Sequence, residues 1–452
     1  MKNDLFDLEG FICALQWEEL PQTVRTAAVF SVLDSVSAAA GAVNDWQAKK
    51  VTERYLGANG GSEIADIWGT GRRGPLSATI FLNAMRGHVL EMDDVHTRSK
   101  THIGTVVVPA AWGMAQYVGA SGKEFLTAVV AGYETMARIG MALGVTSHRQ
   151  KGWHVTGTAG TFGAAAACSK LLKLDADQTL SALGMAGTQS CGLWAFLEDR
   201  ATSKVLHPAR AAVSGAEAAL LAEAGMTGPA HILEARDGGM LAAMTDAQDI
   251  QAVSRELGSR YEILYMDRKP YPCCRSTHCA IDAALSLRNH YKLQGEDILS
   301  GKVETYQVGY QQCGCSKGSI CPKTVTEAKF STPYLVACAL RFGRVGIQEV
   351  SQQGLLDPET MDLCDKIKVH PDEFFSSRYP DHWGCRLTLQ LKNGQTVNRE
   401  IQDAVGSVEA PLNEMQLMEK ARSLLYAAYP DTVKNHLRSL IELSDASGMP
   451  EI

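Results

Sequence analysis

The chain has 452 residues, more than the roughly 250 to 300 at which a single hydrophobic core stops growing, so two domains are expected. Its formal net charge of −7 and the lack of any Lys/Arg block argue against a nucleic-acid partner. Because it shows no run of about 18 apolar residues and no basic secretory leader, and its twelve cysteines are scattered, the sequence predicts a cytoplasmic protein without a membrane partner.

The sequence up to Lys269 reads as a series of helices rich in Ala and Gly. Small residues let helix backbones approach closely, so this part is predicted to form a compact all-helical domain. The strongest helical patterns cover residues 20–43, 76–89, 105–117, 122–143 and 178–189.

Acids and bases are concentrated in the segment HVLEMDDVHTRSKTHIGTVVVP, residues 88–109. Glu91, Asp93 and Asp94 lie within a few residues of His96 and His102. Such a cluster can hold groups whose pKa values are separated, as abstracting and returning a proton near neutral pH requires. Taken alone, such an acidic pair is more often a cap on a solvated helix face.

Three later segments repeat one design, in which basic residues and a short turn precede a helix. They contribute His154, ahead of a helix predicted from Thr158; Lys204 and His207, around a helix predicted from Pro208; and Lys269, Tyr271, Arg275 and His278, around a predicted Ser276 cap. With His102, basic side chains thus approach four helix N-termini. Helix N-termini carry free N–H groups and positive partial charge, so their convergence predicts a pocket for a small polycarboxylate.

After Lys269 the pattern changes to mixed strands and helices. Strands are predicted over 302–310 and 367–370, a helix over 326–342, and a hairpin over 386–401 that turns at Asn393-Gly394. The final helical stretch, 412–443, is expected to pack back on the first domain. We therefore predict a mostly α fold, with a large all-helical domain formed by residues 1–268 and 408–452 and a smaller α+β domain over 269–407.

The cysteines do not predict a metal centre. Cys313, Cys315 and Cys321 lack a standard zinc spacing, and adjacent Cys273 and Cys274 cannot complete a four-thiolate shell. We expect neither a metal nor another cofactor.

These segments, in this order, resemble the MmgE/PrpD family, which includes 2-methylcitrate dehydratases, cis-aconitate decarboxylases and iminodisuccinate epimerase. The resemblance covers nearly the whole chain. The motifs that match are NAMRGHVLEMDDVH, THIGTVVVPAAW, GWHVTGTAGTFGAAAACSKLL, SKVLHPARAAVSGAEAALL, KPYPCCRSTHCAIDA and EAKFSTPYLVACAL.

The resemblance implies site residues where the motifs match. Functional residues of the decarboxylase branch fall on His102, His154, Lys204 and Lys269, and Asp93 is the predicted acid. The decarboxylase motif differs at two positions, with aspartate in place of Glu91 and threonine in place of Val95, and its linker to His102 is one residue shorter. The remaining predicted substrate contacts are Glu91, Asp94, His207, Tyr271, Arg275 and His278.

The predicted activity is that of a cofactor-free dehydratase acting on a hydroxy di- or tricarboxylate, such as a 2-methylcitrate-like acid. Lys204, Lys269 and Arg275 would hold carboxylates, while His102 or His154 would remove the proton α to one of them. Reprotonation would instead make the protein an epimerase or isomerase, and loss of CO2 a decarboxylase. A non-catalytic carboxylate-binding protein is the alternative from another class. The resemblance also implies a homodimer.

Overall fold

The computed structural model describes residues 4–199 and 201–452. It contains a large helical unit and a smaller unit with a sheet, so the predicted fold class is confirmed. The α-helices of the large unit before residue 269 are α1 (Asp4–Ala14), α2 (Gln22–Gly41), α3 (Trp46–Ala58), α4 (Leu76–Val89), α5 (Gly104–Val118), α6 (Gly122–Ala142), α7 (Val145–Gln150), α8 (Val155–Leu172), α9 (Ala176–Thr188), α10 (Leu206–Glu223) and α11 (Met240–Met244).

Helix α8 runs through the centre of the large unit and packs against both α6 and α10. Its sequence is so rich in Ala and Gly that the helices approach closely. A Cβ atom added at Gly132 of α6 would lie 2.8 Å from the carbonyl oxygen of Gly163, and one at Gly215 of α10 would lie 2.4 Å from that of Thr161. This packing fixes the position of the α8 N-terminus, which begins directly after His154.

The large unit also contains short strands, so the expectation of a purely helical domain is corrected. Strand β1 (Ala65–Ile67) pairs with β2 (Arg72–Gly74), and β3 (Val95–His96) pairs antiparallel with β4 (Met266–Asp267). The second pair has a consequence for the site. It holds the acidic segment next to the chain that leads into Lys269.

The smaller unit is built on a sheet of strand order β6-β5-β7-β8. Its strands are β5 (Ile298–Thr305), β6 (Ile367–Pro371), β7 (Cys385–Leu391) and β8 (Thr396–Ile401); β5 runs parallel to β6 and antiparallel to β7. The helices of this unit are α12 (His278–Tyr291), α13 (Gln307–Cys313), α14 (Lys317–Ile320), α15 (Val325–Lys329), α16 (Thr332–Phe342), α17 (Gln352–Leu355), α18 (Pro358–Asp365) and α19 (Glu373–Arg378).

Two predicted elements of this unit have different bounds. The strand predicted over 302–310 ends at Thr305, and helix α13 follows it. The helix predicted over 326–342 is divided, because the Ser331 side chain accepts a hydrogen bond from the Tyr334 N–H and caps a new helix there. The hairpin forms as predicted, with Gly394 at a φ of 87° in its turn.

The C-terminal helices α20 (Glu414–Ala428) and α21 (Val433–Ile441) pack on α2 and share the hydrophobic core of the large unit. The Lys420 ammonium donates to Asp34 in α2 at 2.6 Å and to the carbonyl oxygen of Met92 at 2.7 Å. The domain boundaries at 268 and 408 stay a prediction, although these contacts support a large unit formed by both ends of the chain.

Among the described residues, the stretch Gln22–Asn44 is long and apolar enough to cross a membrane by length and composition. Of its most apolar window, 72% is buried inside the protein. Packing of α2 in the core therefore accounts for its apolar composition.

Candidate active site

A cavity of about 260 Å³ lies between the two units. The residues that precede or begin four helices line it: His102 ahead of α5, His154 ahead of α8, Lys204 ahead of α10 and Arg275 ahead of α12. Drug-sized ligands use pockets of about 300 to 1,000 Å³, so this volume suits a small metabolite. The structure thus brings together the segments that the sequence analysis selected.

Asp93 orients two buried histidines, of which His102 lines the cavity. Its Oδ2 atom lies 2.8 Å from Nδ1 of His102 and 2.9 Å from Nδ1 of His88. Because a carboxylate accepts hydrogen bonds, each Nδ1 carries the proton, and the lone pair of His102 lies on Nε2. Burial, which outweighs the attraction of Asp93, lowers the pKa of His102 to about 3. His102 is therefore a neutral imidazole near pH 7.

Glu91 joins the two predicted lysine anchors. Its Oε1 accepts a hydrogen bond from Lys204, and its Oε2 accepts one from Lys269 at 3.1 Å. Burial alone would raise the pKa of Glu91, but the two ammonium groups hold it well below its usual range. Conversely, Glu91 and Asp93 overcome burial and raise the pKa of Lys269. Glu91 and Lys269 are therefore charged at pH 7.

His154, which lines the same cavity, forms a second imidazole pair with His207, which does not line it. Its Nδ1 lies 2.8 Å from Nδ1 of His207, so one ring donates and the other accepts a single shared proton. Burial and the neighbouring His207 hold the pKa of His154 well below its usual range. Burial likewise lowers the pKa of His207 to about 4. The ring centres of His154 and His102 are 6.4 Å apart.

This arrangement can bind an anion and move protons next to it. Each ammonium has three N–H donors, and only part of them is used on Glu91. The N-termini of α8 and α10 add positive potential at the same wall. Two neutral imidazoles face this region, and proton transfer to or from carbon needs such groups.

Four predicted substrate contacts, Asp94, Tyr271, His278 and His207, do not line the cavity, and their assignment is corrected. Asp94 accepts hydrogen bonds from the Gly104 N–H and the Tyr133 hydroxyl, both at 2.8 Å, so it holds the start of α5. Burial raises the pKa of Asp94 to about 7. Tyr271 donates to Asp282 at 2.6 Å and borders a different groove.

His278 is the third of these residues. It is fully buried, and its Nδ1 lies 3.1 Å from Nη1 of Arg275. Arg275 does border the cavity, but its guanidinium also donates to Asp267 at 2.9 Å and to the carbonyl oxygens of Ala404 and Val405 at 3.3 Å. With these partners Arg275 connects the two units, which weakens its assignment as a carboxylate anchor.

Several residues of the cavity wall were not selected from the sequence. They are Lys100, Arg149, Trp194, Cys274, Phe330, Tyr379 and Trp383. The sequence held one indication of Lys100, which is that the linker to His102 is one residue longer than in the decarboxylase motif. One of the cysteines belongs to the site, although it was not selected from the sequence. Cys274 lines the cavity, and its thiol is hydrogen-bonded to that of Cys313.

Within the described residues, one cluster has ligand atoms close enough for a metal ion. The side-chain atoms of His88, Glu91 and His102 lie within 4.8 Å of one another. Both Glu91 oxygens already accept hydrogen bonds from ammonium groups, which would oppose the charge of a cation. The donor set therefore fits a resident metal poorly.

Comparisons with known proteins agree over both units. The model of the MmgE/PrpD N-terminal domain matches residues 7–252, and that of the MmgE/PrpD C-terminal domain matches residues 271–445. The chain is 28% identical to the cis-aconitate decarboxylase-like protein oryM of Aspergillus oryzae, over 98% of this chain and 96% of that protein. It is 25% identical to a cis-aconitate decarboxylase of Aspergillus terreus (97% and 93% covered) and 24% identical to that of Mus musculus (94% and 87% covered).

Proposed function

Because the chain belongs to the MmgE/PrpD family, an enzyme family that acts on carboxylates, we propose that it is a cofactor-free dehydratase of a hydroxy di- or tricarboxylate. One observation supports this proposal most directly. His102, which Asp93 orients, lines the same small cavity as the ammonium groups of Lys204 and Lys269. A base and an anion anchor are thereby adjacent.

In the proposed reaction, a substrate carboxylate binds the free N–H donors of Lys204 and Lys269. Neutralising its charge acidifies the C–H bond next to it, because negative charge develops there in the transition state. Nε2 of His102 takes this proton. Asp93, bonded to Nδ1, then stabilises the imidazolium, as an orienting carboxylate does in a catalytic triad.

Elimination also needs a proton for the leaving hydroxyl group, which departs as water. His154 occupies the right region, since its ring and that of His102 face the same cavity. The step balances when the His102 imidazolium returns the proton that it took from carbon to the leaving hydroxyl group, while His154 holds that group by a hydrogen bond.

The names of the relatives favour a second candidate, a decarboxylase of an unsaturated tricarboxylate. Loss of CO2 leaves negative charge on carbon, which the same lysines would stabilise and the same imidazoles would protonate. Epimerisation would result if the carbon were reprotonated on its opposite face.

Proton NMR in D2O distinguishes these reactions. The purified enzyme is incubated with 2-methylcitrate, citrate, malate and cis-aconitate, and a His102→Asn/His154→Gln variant purified in parallel controls for contaminating activities. Loss of the hydroxy acid with growth of a vinyl signal supports the dehydratase. Release of CO2 supports the decarboxylase, and deuterium incorporation without consumption supports an epimerase. Saturable binding with no exchange would contradict the proposal.

Chelation is expected to leave the rate unchanged. The positive charge that a polycarboxylate requires is already supplied by Lys204, Lys269 and the helix N-termini, and Glu91 is occupied by the two ammonium groups. The measurement is the rate before and after prolonged treatment with EDTA, followed by metal analysis. Loss of activity that Zn²⁺, Mg²⁺ or Fe²⁺ restores would overturn the cofactor-free mechanism.

We also propose that the protein is a homodimer, as the family resemblance implies. Light scattering at micromolar concentration is expected to give twice the 48.8 kDa mass of the chain. A mass of one chain at that concentration would contradict this expectation.

A further inference from the structure

Lys100 places a third ammonium group on the cavity, in the turn between β3 and α5. Its Nζ is buried and has no hydrogen-bond partner within residues 4–199 and 201–452. The same atom lies 3.6 Å from the ring centre of Trp383 and 4.2 Å from that of Tyr379. Cation–π contacts replace part of the lost hydration, but they leave the N–H donors of an ammonium group unused.

The aromatic wall around Lys100 is held in place by its own contacts. Tyr379 stacks on Tyr306, with ring centres 4.7 Å apart and an angle of 13° between the rings. The Trp383 indole N–H donates to the carbonyl oxygen of Pro380 at 3.0 Å. Lys100 itself has a φ of 61°, which lies in the left-handed region of backbone conformation. Residues with a Cβ atom disfavour this region, and such strained residues cluster at functional sites.

This ammonium group is separate from the pair that Glu91 holds. The carboxylates whose charge acts on Lys100 are Asp267 and Asp381, and Asp267 is already paired with Arg275 at 2.9 Å. Burial outweighs both and holds the pKa of Lys100 well below its usual range. Burial thus disfavours the charged form of the Lys100 amine, and an incoming carboxylate would stabilise its ammonium form by pairing with it.

A second cation lines the same cavity. The guanidinium carbon of Arg149 lies 4.3 Å from the ring centre of Trp194. Arg149 also interacts electrostatically with Tyr379. Tyr379 therefore stands near both Lys100 and Arg149. Neither cation belongs to the group formed by Glu91, Lys204 and Lys269.

We propose that Lys100 forms a second anion subsite, which binds a carboxylate remote from the reacting carbon and so selects substrates that carry this additional group. The inference rests on the proposed function, in which Lys204 and Lys269 hold the carboxylate next to the reacting carbon. The ligand class is a small acid with at least two carboxylates, because one molecule must fill both subsites at once, with one carboxylate next to the reacting carbon and another at Lys100.

Two unreactive ligands test the subsite by binding alone. 2-Methylsuccinate and 2-methylbutanoate differ by one carboxylate, and neither has a hydroxyl group to eliminate. Calorimetry is done on the wild-type enzyme, on Lys100→Met and on Lys151→Met. Lys151 pairs with Asp246 at 2.6 Å and does not line the cavity, so its replacement removes the same charge from the same region. Circular dichroism checks that each variant is folded.

The wild-type enzyme is expected to bind 2-methylsuccinate at least tenfold more tightly than 2-methylbutanoate, since a desolvated charge pair contributes that much or more. Lys100→Met should remove this preference and change 2-methylbutanoate binding less than about threefold, while Lys151→Met keeps the preference. Three results would overturn the subsite. The wild type could bind both ligands equally, it could bind neither, or Lys100→Met could weaken the binding of both equally. α-Proton exchange is measured separately, so a failed subsite and a failed catalytic proposal give different results.

Discussion

Replacement of His102 by asparagine is expected to lower kcat by at least about 100-fold, the usual scale for losing a general acid or base. The Asn amide N–H can still donate to Asp93, as Nδ1 of His102 does at 2.8 Å, so the fold should persist. The amide cannot take up a proton near pH 7. The loss therefore reports the chemical role of the ring and not its packing.

The measurement is kcat and KM for the substrate found by NMR, with His290→Asn as the matched control, because His290 is an exposed residue of α12 outside the cavity. The control is expected to retain wild-type kinetics. Asp93→Asn should also lower kcat, since it removes the charge that fixes the His102 tautomer and stabilises its imidazolium. Near-wild-type turnover of His102→Asn would assign the base to another residue.

Lys269→Met is expected to lower both stability and activity. Lys269 is fully buried, 3.1 Å from Glu91 and 3.8 Å from Asp93. Its removal leaves the two buried carboxylates, Glu91 and Asp93, with Lys204 as the single remaining ammonium group, and such an uncompensated buried charge typically costs about 3 to 5 kcal/mol of unfolding free energy. Loss of the substrate anchor should lower kcat/KM at least about tenfold. Urea unfolding and steady-state kinetics measure the two effects.

A second substitution separates these effects. Glu91→Gln added to Lys269→Met removes the charge that the first change left unpaired, so most of the stability is expected to return while kcat/KM stays low. Lys302→Met is the control, because Lys302 forms an exposed pair with Glu304 and should cost less than about 1 kcal/mol. Recovery of both stability and activity in the double variant would show that Lys269 serves the fold and does not hold substrate.

The sequence by itself determined the fold class, the hairpin and the segments that form the site. Each depends on short-range properties: the spacing of apolar residues, the turn preference of Asn393-Gly394, and basic side chains placed just before helices. The last pattern selected His102, His154 and Lys204, and all three line the cavity. Local patterns suffice here because a side chain at a helix start lies close to that helix terminus wherever the helix packs.

Only the tertiary structure decided which neighbours face the cavity. Asp93 and Asp94 are adjacent in the sequence, yet Asp93 orients His102 while Asp94 bonds to Tyr133 and the Gly104 N–H. Side chains of consecutive residues in extended chain point in opposite directions, and the packing of α5 and α6 selects the direction of each. The surroundings of Lys100 also depend on the tertiary structure, through contacts with residues distant in the sequence. Its aromatic neighbours, Tyr379 and Trp383, lie nearly 280 residues further along the chain, and their meeting depends on how the two units pack, which no local pattern encodes.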